Sequence, residues 1–396
     1  MDRKAYIVGY GQTKHGFLPD RDMKDLLAEA YVNALKYTGV DPKRIQQVWL
    51  SHYPTHADMQ MTAGQPTVDA IGLGSRVGCI TIEQACASGG QALHDAALAI
   101  ESGYYDLVLL MGVGKLMDSM VPESAPWHES GYNPLYIHAG INLQEPGGDI
   151  EYFKKYVTLE DQAAWYVNEL WYASKHPNSL CYNERIPTVD ERVKIGYGWF
   201  PMAAGCAATG SDGASAIILA SRDVAKEYTD ELIYVASVSH KEESSYYSAA
   251  CDHDYGDHKA EYLILDSCVL RNTWREAFQK AKVKPEDLDV YQPHDCIIQF
   301  SWAFMEALGH RDLPRGAAPK FYTEGQTYPG GKLPCDTQGS AKFGQARGAV
   351  GLNYIIENYM QLKQEAGKWQ CPIKNGVAAS GMSIGRPAVS VIMRER

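Results

Sequence analysis

The chain has 396 residues, 45% of them hydrophobic and 21% charged, enough for two sizeable cores or one large core with a subdomain. Its formal net charge of −11 argues against nucleic acid and anionic membranes as partners, and an anionic ligand needs a local cluster of Lys and Arg. Nine cysteines, scattered singly without a CxxC pair, suggest neither a structural zinc site nor a disulfide framework.

No apolar run reaches transmembrane length, and the opening "MDRKAYIVGYGQTKHG" carries neither a signal nor a transit pattern. The expectation is a reduced, cytoplasmic protein whose first strand is "AYIVGYG". Residues 24–53 then give a helix with Leu26, Leu27, Ala30, Tyr31, Ala34 and Leu35 on one side, a Gly-Val-Asp-Pro turn and a short strand at Val48-Trp49-Leu50. "RVGCITIEQ" is strand-like and "QALHDAALAIESG" has helical spacing at Leu93, Ala97 and Ile100. Residues 114–200 are rich in Trp and Tyr, broken by Pro and Gly, and read as an insertion over the core where ligand-contacting loops gather. "GSDGASAIILAS" resumes the first half as a Gly-rich turn and a buried strand.

From "LIYVASVS" onward the order repeats. Residues 272–296 give helix, Val-Lys-Pro-Glu turn, strand and a polar tip, the sequence already met at 24–53. Two strand–helix–strand copies imply a duplicated α/β fold with layered parallel sheets. The halves are 1–225, including the loop domain at about 114–200, and 226–396. A Gly-rich loop at 323–351 leads into the amphipathic helix "LNYIIENYMQLKQEAG", and "GVAASGMSIGRPAVSVIMRER" reads as a glycine loop and a closing strand.

The chemistry points to Cys86. It sits at a strand-to-helix junction, where unpaired N–H groups and the positive end of a helix dipole favour a thiolate, and where its own N–H can donate to an oxyanion. Gly89 and Gly90 cost helix propensity, so a backbone or a long thin ligand must come close there.

"ACASGGQALHDAALAIESGYYDLVLLMGVGKLM" resembles the nucleophile segment of the thiolase family. "AYIVGYGQTKHG" is similar to the opening strand of its sterol-carrier-protein-type branch, and "SDGASAIILAS" resembles the family's Ser-Asp-Gly-Ala stretch. The resemblance implies a thiolase fold with duplicated αβαβα layers and an inserted loop domain. It also implies an acyltransferase with Cys86 as nucleophile and coenzyme A as cosubstrate, no cofactor being bound permanently. "PHDC" matches the branch's His-Asp-Cys segment, which makes His294 a donor near an enolate and Cys296 a proton-shuttling second cysteine. The family's Gly-His-Pro loop aligns with Gly344-Gln345-Ala346, placing Gln345 where a histidine is expected; an amide donates but cannot deprotonate a thiol at neutral pH. Activation of Cys86 is then left to the helix N-terminus, to His294 or to the substrate complex. The Cys-x-Gly near the family's C-terminus is replaced by "AASGMSIG", where backbone N–H groups around Ser383 are expected to complete an oxyanion hole.

Lys115, Arg192 and Lys194 are candidates, by position alone, for the CoA phosphates. "YYSAACDHDYGDH" brings Cys251, His253, Asp254 and His258 together, but their spacing fits no standard metal site, and none is expected. The resemblance implies a homodimer with a small zinc-binding OB-fold subunit, and the tyrosines of the insertion suit a bulky, aromatic β-ketoacyl-CoA. The alternatives are a thiolase-fold retro-aldolase, a biosynthetic acetoacetyl-CoA thiolase and a non-catalytic acyl-CoA-binding subunit.

Overall fold

A computed structural model describes residues 3–53, 62–118, 150–242, 267–383 and 387–395. Its main sheet has nine strands in the order β3-β2-β4-β7-β1-β8-β11-β10-β9. These are β1 (Ala5–Gln12), β2 (Gln47–His52), β3 (Gly78–Ile82), β4 (Leu107–Lys115), β7 (Asp212–Ser221), β8 (Ile233–His240), β9 (Val290–Gln292), β10 (Val377–Met382) and β11 (Ala388–Arg394); β5 (Tyr197–Trp199) and β6 (Met202–Ala203) form a separate hairpin. Only Tyr6–Tyr234 and Ile7–Ile233 pair β1 with β8, so the sheet is two half-sheets joined at a narrow seam. Counted outward from that seam, both halves run first strand, last strand, penultimate strand, second strand, and the echo read from the sequence is a duplicated topology.

The half-sheets are mixed, not parallel as the echo implied. β2 is parallel to β3 and β4, and β9 to β10, whereas β7 runs antiparallel to both β4 and β1 and β11 antiparallel to β8 and β10. A βαβ crossover fixes strand direction; β7 instead follows the insertion and re-enters from the opposite end, where no crossover constrains it. The closing glycine segment is likewise a strand, β10, paired with β11 along its whole length.

Helix Ser88–Glu101 buries one face, leaving Leu98 exposed, and packs against helix Arg347–Leu362 in the interior. The second is buried from Gly348 to Leu362, not amphipathic as its sequence suggests. Its polar residues are consumed internally: Asn353 accepts from Gln12 Nε2 at 2.9 Å, Asn358 accepts from Gln292 Nε2 at 3.2 Å, and Glu357 accepts from Thr337 Oγ1 at 2.8 Å. A helix packed on all sides carries polar residues only when each finds such a partner.

These two helices explain the Gly89-Gly90 pair. A Cβ on Gly89 would lie 2.7 Å from the Leu352 backbone N and 2.9 Å from Gly351 Cα, and one on Gly90 would lie 2.8 Å from Ala388 Cβ. The missing side chains admit a neighbouring backbone, not a ligand. Gly89→Ala should therefore cost about 1–3 kcal/mol in chemical denaturation, despite its better helix propensity, and lower activity by shifting the segment that carries Cys86.

The described part of the insertion is mostly helical, with helices at Ile150–Tyr156, Leu159–Ala173 and Val189–Ile195. Tyr152, Trp165 and Tyr172 are fully buried and serve packing, while Trp127, Tyr132 and Tyr136 lie outside the described residues, as do Cys251, His253, Asp254 and His258. Among the described residues no helix is long and apolar enough to cross a membrane.

Candidate active site

Cys86 follows Ala85, whose φ of 47° lies in the left-handed region that costs an L-residue about 1–2 kcal/mol. Neighbouring groups hold this turn. Ala85 N donates to Glu83 Oε1 at 2.7 Å, and the Ser88 hydroxyl donates to Ala85 O at 2.6 Å while accepting from Gln84 N at 2.8 Å. A strained residue over-determined in this way, just ahead of a helix whose N-terminus no side chain caps, is how a fold presents a nucleophile. The thiol is part-buried against Ala87, Val350, Tyr354, Met382 and Ala388, which belong to three separate segments.

His294 and Cys296 follow β9. His294 is buried against Phe300 and Phe304, and burial lowers its pKa to about 3, so the imidazole is neutral. Its Nδ1 accepts from Ser383 N at 3.2 Å, so the proton resides on Nε2, which is buried without a partner. His294 is thus a donor waiting for an acceptor, and with its lone pair engaged it cannot deprotonate Cys86. The Ser383 N–H, expected to face an oxyanion, instead orients this ring from a backbone with φ of 60°. Cys296 is half-buried, and its thiol is pushed up by desolvation first, then by the charges of Cys86 and Asp295, with the Arg347 guanidinium opposing. The influence of Cys86 on this thiol places the two cysteines in electrostatic reach of each other, and the upward shift keeps Cys296 protonated.

Residues 207–211 join Cys296 to Gln345. Ala208 N donates to Cys296 O at 2.8 Å, Gln345 N donates to Thr209 O at 2.8 Å, and Ser211 N donates to Gln345 O at 3.1 Å. His15 donates from Nδ1 to Gly344 O at 2.9 Å and fixes the same loop. The Gln345 amide Nε2 is buried without a partner, a second unclaimed donor. Arg347 opens the buried helix two residues later, with its guanidinium 4.9 Å over the Tyr53 ring.

Three buried imidazoles, His15 (about 4), His176 (about 3) and His294 (about 3), are held neutral by burial. In the unfolded chain each takes up a proton near pH 6.5, so their contribution to stability is intact above that pH. It is lost as pH falls toward 4, by up to about 1.4 kcal/mol per pH unit for each. Melting temperature should fall steadily below pH 6.5; a flat profile down to pH 4.5 would contradict this.

The expected phosphate ligands fare differently. Lys115 is buried, donating to Asp212 Oδ2 at 2.8 Å and Leu18 O at 2.7 Å, so it is a structural ion pair and not a CoA contact. The "KLM" segment gave no hint that β4 carries its lysine inward. Lys115→Met should destabilise the fold by about 3 kcal/mol or more by stranding Asp212, with no change in KM for CoA beyond that of the folded fraction. Arg192 donates to Ala204 O and stacks 3.7 Å over Tyr166. Lys194 is exposed on the same short helix.

Comparison with known proteins supplies the family. The description "Thiolase, N-terminal domain" matches residues 5–133, and "Thiolase C-terminal domain-like" matches 249–394. The chain belongs to the thiolase family. Among relatives of this thiolase, the acetyl-CoA acetyltransferase of Methanothermobacter thermautotrophicus is 28% identical over 378 residues, covering 93% of each chain. Sterol carrier protein 2 of Gallus gallus is 26% identical over 93% of this chain and 67% of its own length. The benzoylsuccinyl-CoA thiolase subunit BbsB of Thauera aromatica is 24% identical, covering 94% of this chain and 91% of its own. The solved Ltp2-ChsH2(DUF35) aldolase shares the fold, with a TM-score of 0.76 at 18% identity over 99% and 98% of the two chains. The protein is an acyltransferase.

Sequence reasoning missed Ser88, which staples the turn ahead of Cys86, and Arg347, whose charge reaches Cys296. The first is legible as the Ser of Cys-Ala-Ser-Gly-Gly. Arg347 is not, because nothing in the sequence brings it near Cys296.

Proposed function

We propose that this thiolase cleaves a bulky, aromatic β-ketoacyl-CoA, 2-benzoylsuccinyl-CoA, by CoA-dependent thiolysis to benzoyl-CoA and succinyl-CoA. The observation that carries the reaction type is the buried, unclaimed Nε2–H of a neutral His294, two residues from a Cys296 whose thiol is pushed up by burial and by Cys86. The Cys86 thiolate, favoured by the helix N-terminus, attacks the ketone carbon. The C–C bond breaks, its electron pair leaving as the enolate of the departing thioester, whose oxygen accepts from His294 Nε2–H. Cys296 protonates the α-carbon and becomes a thiolate. Coenzyme A then gives its thiol proton to Cys296 and attacks the acyl-Cys86, releasing the second thioester and restoring both cysteines.

Three features favour the aromatic, carboxylate-bearing substrate: similarity to BbsB, an amide at position 345 in place of the family histidine, and Arg347 in reach of Cys296, a guanidinium suited to a free carboxylate. A homodimer through β3 accords with that strand's exposed edge position, where Ile80 is 46% exposed. We infer a small OB-fold partner subunit from the resemblance and from the DUF35 component named in the aldolase structure. The test incubates purified protein, with that partner, with 2-benzoylsuccinyl-CoA and CoA, and traps acyl-Cys86 by mass spectrometry. Benzoyl-CoA and a benzoyl-Cys86 adduct are expected. An acetyl adduct from acetoacetyl-CoA without benzoyl transfer would replace the substrate, and turnover without any adduct would favour retro-aldol cleavage.

A further inference from the structure

Three carboxyl groups that the acyl-transfer steps do not use meet in the interior. They are Glu169 of helix Leu159–Ala173, Asp295 between His294 and Cys296, and Asp336 in the segment ahead of helix Ser340–Phe343. All are fully buried, with oxygens within 4.8 Å of one another. Three negative charges at that spacing in a buried site would repel strongly and lack hydration.

Their hydrogen bonds show where charge and protons reside. Asp295 accepts from Ser340 Oγ and Tyr354 OH, each at 2.5 Å, and from Ala341 N at 2.6 Å. Asp336 accepts from Tyr322 OH at Oδ2, at 2.8 Å, and its Oδ1 has no partner. Neither oxygen of Glu169 has one. The donors converge on Asp295 and select it as the anion.

We propose that Glu169 is a positioning residue: a neutral carboxylic acid that accepts from a protonated Asp336 at one oxygen and donates to ionised Asp295 at the other, clamping the His294–Cys296 segment. Two protons in this relay give a partner to each of the three otherwise orphaned oxygens and leave a single negative charge. Burial raises all three carboxyls, Glu169 and Asp336 well above the usual range. The other titratable groups around them are compatible. Tyr322 and Tyr354 are donors, burial keeps Tyr328 and Cys335 protonated, and the Lys342 ammonium donates to Gly205 O and Ala207 O. Mg²⁺ or Ca²⁺ would compete for the same oxygens, but each needs six or more oxygen ligands, and three donors already occupy Asp295. The clamp ties the inserted helix to the catalytic segment; the same helix receives the loop at Gly339, where a Cβ would lie 2.4 Å from Glu169 O.

Infrared difference spectra of wild type minus Glu169→Gln at neutral pH should show the C=O stretch of a neutral carboxylic acid that shifts in D2O. The glutamine amide reproduces both hydrogen bonds, so Glu169→Gln should keep kcat within about threefold. Glu169→Leu, which strands Asp336 and Asp295, should lose about tenfold or more, mainly in kcat. Should Glu169→Leu fail to fold, Asp336→Asn, which also preserves the donor, should match Glu169→Gln. Absence of the acid band, equal damage from the glutamine and leucine variants, or one divalent metal ion per purified chain by elemental analysis would each overturn the proposal. The activity arm rests on the acyl-transfer reading, whereas the infrared and metal arms do not, so the two can fail separately.

Discussion

Cys86→Ala should abolish thiolysis, with kcat down at least about 10⁴-fold, while melting temperature and circular dichroism remain those of the wild type. The sulfur forms and breaks the only covalent bond between chain and substrate in the scheme. Its packing neighbours Ala87, Val350, Met382 and Ala388 are small or flexible enough to accept one lost atom. No acyl adduct should appear in this variant. Iodoacetamide should label Cys86 of the wild type ahead of Cys79, Cys181, Cys206, Cys296, Cys335 and Cys371, whose thiols burial holds protonated. Turnover surviving in Cys86→Ala would show that the covalent route is wrong.

His294→Ala should lower kcat by about 10²–10³-fold, the usual loss when one oxyanion donor is removed, with Cys86 alkylation unchanged. The second half of that expectation separates the donor role from a base role. If His294 removed the thiol proton, its loss would also slow alkylation. His294→Asn, which restores an amide N–H, should recover part of the loss. Because burial holds the imidazole neutral with a pKa of about 3, the rate should show no acid limb near pH 6.5 that disappears in His294→Asn. Such a limb would mean that the imidazolium participates.

The two expectations divide the labour of the site. Gln345 and His294 are both buried donors with no intrinsic ability to take a proton from Cys86, one by chemistry and the other by its bond from Ser383 N. In the proposed scheme, thiolate formation at Cys86 is then left to the helix N-terminus, with the Arg347 charge in reach of Cys296.

Much of this was legible in the chain itself. Period-3.6 and apolar runs located Met23–Thr38, Ser88–Glu101, Cys268–Ala281 and the paired strands, because local propensity and burial there point the same way. The junction of strand and helix at Cys86 follows from local spacing, whereas His294 and Cys296 after β9 came from the family resemblance of "PHDC". What sequence could not provide was partnership across the fold. The buried helix Arg347–Leu362 looks amphipathic because its polar face is satisfied by Gln12, Gln292 and Thr337, distant in sequence. Lys115 looks like a surface cation until Asp212 on the adjacent strand meets it. The direction of β7, the backbone contact that requires Gly89, and the meeting of Glu169, Asp295 and Asp336 were decided by tertiary structure alone. In each case the deciding energy comes from desolvating groups brought together from separate segments.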